Sequence, residues 1–168
     1  FARTVDTNVA LSTQIYIEAA KHEGTSVVEV LQNCVIFNDG IHDTVADKEV
    51  RDDRTLIIKH GQPMIFGKGN DKGLTLDGLK LKVVKLGENG ITEKNLLVHD
   101  ALEANPGIHY MLANMKYPEY PVALGVIRSV SGTTYDQEVH EQIKGIQKTA
   151  KIKCMDDLLN SGSTWNVD

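Results

Sequence analysis

Lys21-His22-Glu23-Gly24-Thr25-Ser26-Val27-Val28-Glu29-Val30-Leu31 runs from a helix end through a glycine into an apolar strand, and this succession decides the fold class. On its N-terminal side Leu11, Ile15, Ala19 and His22 recur at steps of three and four, which gives a helix one largely apolar face. Asp6 or Thr7 offers a side-chain oxygen to cap the start of that helix. Gly24 stands where a left-handed C-cap is wanted. Thr25 to Leu31 is β-branched and mostly apolar, the composition of a strand buried on both faces. Helix, glycine and buried strand make one unit of a doubly wound α/β sheet, and here the unit reads as the end of such a domain.

The character changes after Leu31. Gln32 to Asp43 mixes apolar residues with turn formers and reads as an ordered loop at the strand's C-terminal end. Val45 to Arg54 is charged and expected in solvent. Short strands are expected at Thr55–Lys59, Met64–Phe66, Leu74–Leu76, Leu79–Leu86 and Leu96–Val98. Asp77-Gly78 lies between two of them and signals a hairpin, because both central residues of that turn favour φ > 0. Asn105-Pro106-Gly107 opens a short helix to about Met115. Val122–Val130 is a further buried-strand candidate. A polar helix runs from Thr133 to about Lys148, weakened by Gly145. Met155–Leu159 makes a last helical turn. The expected division is 1–44, the terminal βα elements of the first domain, and 45–168, a C-terminal region of short strands, hairpins and helices.

Composition narrows the function classes. The 168 residues are 41% hydrophobic and 24% charged, as in a folded globular chain rather than a disordered or fibrous one. The net charge is −5 and the basic residues are scattered, which argues against nucleic-acid and anionic-membrane partners. No apolar run approaches the roughly 18 residues that span a bilayer. No secretory signal pattern opens the chain. Two cysteines cannot build a disulfide framework, and they fit the reducing cytoplasm.

Most catalytic signatures are missing: no phosphate loop, no GxGxxG after a strand, no HExxH and no GxSxG. Gly67-Lys68-Gly69 lacks the strand–loop–helix setting of a phosphate cradle and reads as a loop. None of the six histidines pairs with another His or Cys at a helical step, and His140-Glu141 is read as solvated. Tyr135 and Asp136 are read as helix-start residues. Asp39, His42 and Asp43 with Asn38 could form a site at a strand's C-terminal end. The competing reading is an Asp39-Gly40 turn with neighbours bonded to it. Cys34 follows the strand directly. On spacing alone it is a structural thiol, since an iron–sulfur cluster needs about four thiolates and the chain carries two distant ones.

The run Gly24 to Gly40, with Leu31-Gln32-Asn33-Cys34 and Phe37-Asn38-Asp39-Gly40 at its heart, resembles the beta subunit of 2-oxoacid:ferredoxin oxidoreductases, most closely the 2-oxoglutarate synthase type. Ala2-Arg3-Thr4-Val5-Asp6, His60-Gly61-Gln62-Pro63-Met64 with Phe66-Gly67, Leu97-Val98-His99-Asp100 and Ser161-Gly162-Ser163-Thr164-Trp165 match the family in order. The resemblance implies the end of a thiamine-diphosphate-binding-type doubly wound sheet. It also implies an enzyme that oxidatively decarboxylates a 2-oxoacid onto coenzyme A and passes electrons through a [4Fe–4S] cluster to ferredoxin. The implied cofactors are thiamine diphosphate, Mg²⁺ and that cluster, and the implied partners are the alpha subunit and ferredoxin. Cys34 matches the family's last cluster ligand, and Cys154 matches none and keeps the structural-thiol reading.

The family's Cys-x-x-Cys segment and Gly-Asp-Gly-Asp motif have no counterpart here, and the first residue is Phe1 rather than Met. The chain is therefore expected to be the C-terminal portion of such a subunit, to bind none of the cofactors alone and to be inactive alone. The rival expectation is a non-catalytic α/β binding module in which Cys34 is structural.

Overall fold

The structure, a computed structural model, describes residues 1–165 and 167. β1 (Ala2–Val5), α1 (Val9–Lys21) and β2 (Val28–Leu31) form the expected βα unit, with β1 and β2 parallel and Ala2 opposite Val28. Periodicity does not mark β1, because Arg3 and Thr4 interrupt its four residues. Asn8, not Asp6 or Thr7, caps α1: its Oδ1 accepts from the Leu11 amide at 3.1 Å. Ile15 is buried on the inner side of α1, and the Thr4 and Ser12 hydroxyls meet at 2.9 Å. β2 departs from expectation. It pairs only with β1, and its four residues are half-buried or exposed rather than covered on both faces.

Beyond the Cys34 loop come the short helices α2 (Asp43–Ala46) and α3 (Arg51–Arg54), then β3 (Thr55–Ile58). The charged 45–54 stretch is thus partly helical, with Val45 buried. β3 runs parallel to β7 (Val122–Val126), and β7 runs antiparallel to β1, giving one mixed sheet in the order β2-β1-β7-β3. Two parallel pairs therefore meet across an antiparallel junction, an α/β arrangement. Gly125 in β7 is obligatory: its φ is +118°, and a Cβ there would lie 2.5 Å from the Ile58 carbonyl oxygen.

β4 (Ile65–Phe66), β5 (Lys72–Asp77) and β6 (Lys80–Lys85) make a separate antiparallel sheet. The hairpin forms where Asp77-Gly78 signals it, but one residue later than expected. Asp77 pairs with Lys80, so Gly78 and Leu79 are the central residues, and Gly78 alone has positive φ (+62°). Leu96–Val98 is no strand of either sheet. A 3-10 turn, Glu93–Asn95, precedes it, and α4 (Gly107–Ala113) follows.

Leu56, Leu74, Leu112 and Ala123 are fully buried, and with Met64 and Ile127 they form the core joining β3, β7, the hairpin and α4. A second unit comprises Glu23–Thr25 and Gly132–Asp168, with α5 (Tyr135–Thr149) and α6 (Met155–Leu159). No helix among the described residues is long and apolar enough to cross a membrane.

Candidate functional site: the Cys34 turn

Cys34 sits just past the end of β2, where the chain reverses in a turn that side chains from both flanks hold. The Asn38 amide donates to the Cys34 carbonyl at 2.9 Å and closes the turn. Asn33 braces it from below: its Nδ2 donates to Asp39 Oδ1 at 2.9 Å, and its Oδ1 accepts from the Gly40 amide at 2.9 Å. Gly40 takes φ +76°, and a Cβ there would meet Asp43 Oδ2 at 2.9 Å. The Asp39-Gly40 reading as a turn therefore holds. Asp39 is spent on Asn33, and His42 makes no side-chain cap at the start of α2. Among the described residues no three His, Cys, Asp or Glu side chains gather closely enough to hold a metal ion.

Cys34 is half-buried as a residue and forms no disulfide. The backbone amides of Phe37 and then Ile36 act on it and lower its thiol pKa from the ordinary value. Amide dipoles facing a sulfur favour the thiolate, which is the form that ligates iron. A thiolate in such a turn has the chemistry of a single metal ligand, and among the described residues no set of further ligands gathers beside it. Val35, Ile36 and Phe37 stand out around it, 74%, 82% and 89% exposed. Cys154 is also exposed, which corrects its reading as a structural thiol: it heads α6 instead of packing in a core.

The family-like segments come together in pairs. Asp6 follows β1, its amide donating to the Leu31 carbonyl at 3.1 Å. Arg3 Nε meets Glu29 Oε2 at 2.6 Å across the β1–β2 pair. His60–Met64 and Leu97–Asp100, far apart in sequence, zip into a ribbon. The Gly61 amide donates to the His99 carbonyl (2.8 Å), the His99 amide to Gln62 (2.9 Å) and the Met64 amide to Leu97 (2.9 Å). The Ser161–Trp165 segment lies in the second unit and is exposed.

The Gly67-Lys68-Gly69 loop is no phosphate cradle, because an acid already occupies the position of an anion. Asp53 Oδ1 accepts from Lys72 Nζ at 2.8 Å and from the Lys68 amide at 3.4 Å, and the Lys72 bond chiefly lowers its carboxyl pKa. His140 and Glu141 are exposed, as expected.

Sequence reasoning missed a buried histidine cluster. His99 Nε2–H donates to the Val126 carbonyl at 2.8 Å, while its Nδ1 has no partner. His109 Nε2–H donates to the Asp100 carbonyl at 2.7 Å, and its Nδ1 accepts from Arg128 at 3.1 Å. The two rings meet edge to face with centroids 6.1 Å apart. Burial chiefly lowers the His99 pKa, against the Val126 hydrogen bond, which raises it, and the neighbouring His109 lowers it further. These residues share no sequence spacing, so no local signal could have found them. The cluster ties the Asp100–Ala104 loop to the end of β7 through Arg128, which also donates to the Glu103 and Ala104 carbonyls.

No family model matches the chain, and no solved structure matches it. Against curated proteins it is 31% identical over 169 aligned residues to the 2-oxoglutarate oxidoreductase subunit KorB of Mycobacterium tuberculosis. The alignment takes in 99% of this chain, which spans 44% of that relative's length. The resemblance read from the Cys34 segment therefore extends from one end of the chain to the other, and the chain is similar along its length to the C-terminal portion of the KorB subunit of 2-oxoglutarate oxidoreductase.

Proposed function

We propose that the chain is the C-terminal part of the beta subunit of a cytoplasmic 2-oxoacid:ferredoxin oxidoreductase of the 2-oxoglutarate type, with Cys34 as one of the four ligands of a [4Fe–4S] cluster. The observation that carries this reading is the Cys34 turn. A thiol favoured as thiolate by two amides stands at the end of β2, within a segment that matches the relative. In the assembled enzyme the 2-oxoacid loses CO₂ and its acyl group passes to coenzyme A, while two electrons leave for ferredoxin. The cluster supplies the one-electron steps of that transfer.

This chain's own residues then have limited duties. Asn33 and Gly40 hold the turn, the Phe37 and Ile36 amides favour the thiolate, and the exposed apolar side chains of 35–37 offer a surface for the rest of the subunit to cover. Residues 1–44 end the thiamine-binding-type domain, and 45–168 form the region appended to it. Thiamine diphosphate, Mg²⁺ and the other three thiolates fall to residues outside this chain, as do the contacts with the alpha subunit. The composition of β2 supports this division, since a bare apolar edge strand is a liability unless another element covers it.

The test is co-expression of this chain with the N-terminal portion of such a subunit, followed by anaerobic iron and sulfide analysis. Wild type is expected to hold about four irons per subunit and Cys34→Ser to lose them. Equal iron in both would return Cys34 to a structural thiol and remove the reading. The chain alone is expected to show no dye reduction dependent on 2-oxoglutarate and coenzyme A.

A further inference from the structure

The segment that carries Cys34 is acidic throughout. From Ser26 to Asp47 it has no Lys or Arg and four carboxylates, Glu29, Asp39, Asp43 and Asp47. Arg3 neutralises Glu29. Among the described residues no cation forms an ion pair with Asp39, nor with Asp6, which follows β1.

These two unpaired carboxylates converge on Asn33, the residue before Cys34. Asp39 Oδ1 accepts from Asn33 Nδ2 at 2.9 Å, and Asp6 Oδ2 accepts from the Asn33 backbone amide at 3.4 Å. Asp39 thereby fixes which way the Asn33 side chain faces and turns its Oδ1 to the Gly40 amide at 2.9 Å. Asp6 ties the same residue to the end of β1. A neutral side-chain oxygen at either position could accept the same bond, so the shape of the turn does not by itself call for two uncompensated charges.

An iron–sulfur cluster is sensitive to such charges. Negative charge beside it opposes the arrival of an electron and lowers its reduction potential. The Phe37 and Ile36 amides that face the sulfur act in the opposite sense, because hydrogen bonds to the sulfur favour the more negative state. Both carboxylates are exposed, so salt screens them and their influence is modest.

We propose that Asp39 and Asp6 are positioning residues for the Cys34 ligand, which together orient Asn33 and hold the reduction potential of the cluster down. This rests on the reading of Cys34 as a cluster ligand and extends it to two residues that act through Asn33.

Anaerobic redox titration followed by electron paramagnetic resonance tests it, on the chain co-expressed with the N-terminal portion of the subunit. Asp39→Asn keeps an oxygen for Asn33 Nδ2 and removes the charge. It is expected to retain about four irons. Its reduction equilibrium is expected to favour the reduced cluster by about threefold or more, an upward shift of roughly 30 mV or more for one electron. Asp6→Asn is expected to shift the same way by less, since its bond to Asn33 is the longer. Asp39→Ala also frees the Asn33 side chain and is expected to hold less iron than Asp39→Asn. An unmoved or lowered potential in Asp39→Asn overturns the proposal, as does full iron in Asp39→Ala. Should Asp39→Asn lose the cluster, Asp6→Asn reads the same shift, and an unmoved potential or an equal loss of iron there overturns it. A wild type without iron removes the proposed function and this proposal with it. Four irons in wild type with unmoved potentials in the variants removes this proposal alone.

Discussion

β3 and β2 close the two ends of one sheet, and they meet opposite fates. Thr55-Leu56-Ile57-Ile58 and Val28-Glu29-Val30-Leu31 are both short, parallel to their neighbour and rich in β-branched and aliphatic residues. In β3 three of the four residues are buried; in β2 none is. The difference lies in what stands behind them. β3 backs onto the hairpin sheet and α4, which bring Met64, Leu74 and Leu112 against Leu56. β2 meets α1, which leaves Val28 and Leu31 half-buried and Glu29 and Val30 exposed, and its continuation is the Cys34 turn with its exposed apolar tip. An apolar strand is thus a request for burial, and only a neighbouring layer grants it.

The largest expected effect comes from breaking the covered end. Leu56→Ala removes a fully buried side chain and is expected to cost about 2–5 kcal/mol in urea unfolding. Val30→Ala in β2 is expected to cost less than about 1 kcal/mol in the same chain. Equal costs would erase the contrast between the two ends.

Gly125→Ala strikes the junction between them. The added Cβ meets the Ile58 carbonyl oxygen in a backbone conformation L-residues avoid, so a loss of more than about 1 kcal/mol is expected. Thermal unfolding of the variant checks it, and an unshifted midpoint would mean that β3 and β7 are not held this closely.

A smaller effect follows pH. Burial lowers the His99 pKa in the fold, so the unfolded chain takes up its proton first as pH falls. Stability from keeping His99 neutral is complete above about pH 6.5, its unfolded value, and declines as pH drops below that toward the folded value. The slope is at most about 1.4 kcal/mol per pH unit from this one group. Urea midpoints between pH 7.5 and 5.5 read it, and His99→Gln should flatten the curve over that interval.

The smallest effect on the chain alone belongs to the exposed tip. Ile36→Ser and Phe37→Ser are expected to change unfolding by no more than about 0.5 kcal/mol. In co-expression with the N-terminal portion of the subunit they are expected to lower the yield of complex. Undiminished complex would show that the tip is bare in the assembly too.

Local chemistry was enough for α1 and the strand after Gly24, the loop after Leu31, the Asp77-Gly78 hairpin, the two C-terminal helices and the family-like Cys34 segment. Each depends on residues within a turn or two of one another: Gly24 and Gly78 at positive φ, the three-and-four spacing of α1, the Thr134 cap of α5, the short side chains around Cys34. What depended on distant partners could be decided only when the chain closed on itself. β7 enters the sheet between β1 and β3, although more than sixty residues separate it from either. His99 and His109 become one cluster with Arg128, and the His60 and Leu97 segments become one ribbon. Exposure of β2 is decided in the same way, because burial is a property of two surfaces and the local pattern specifies only one of them.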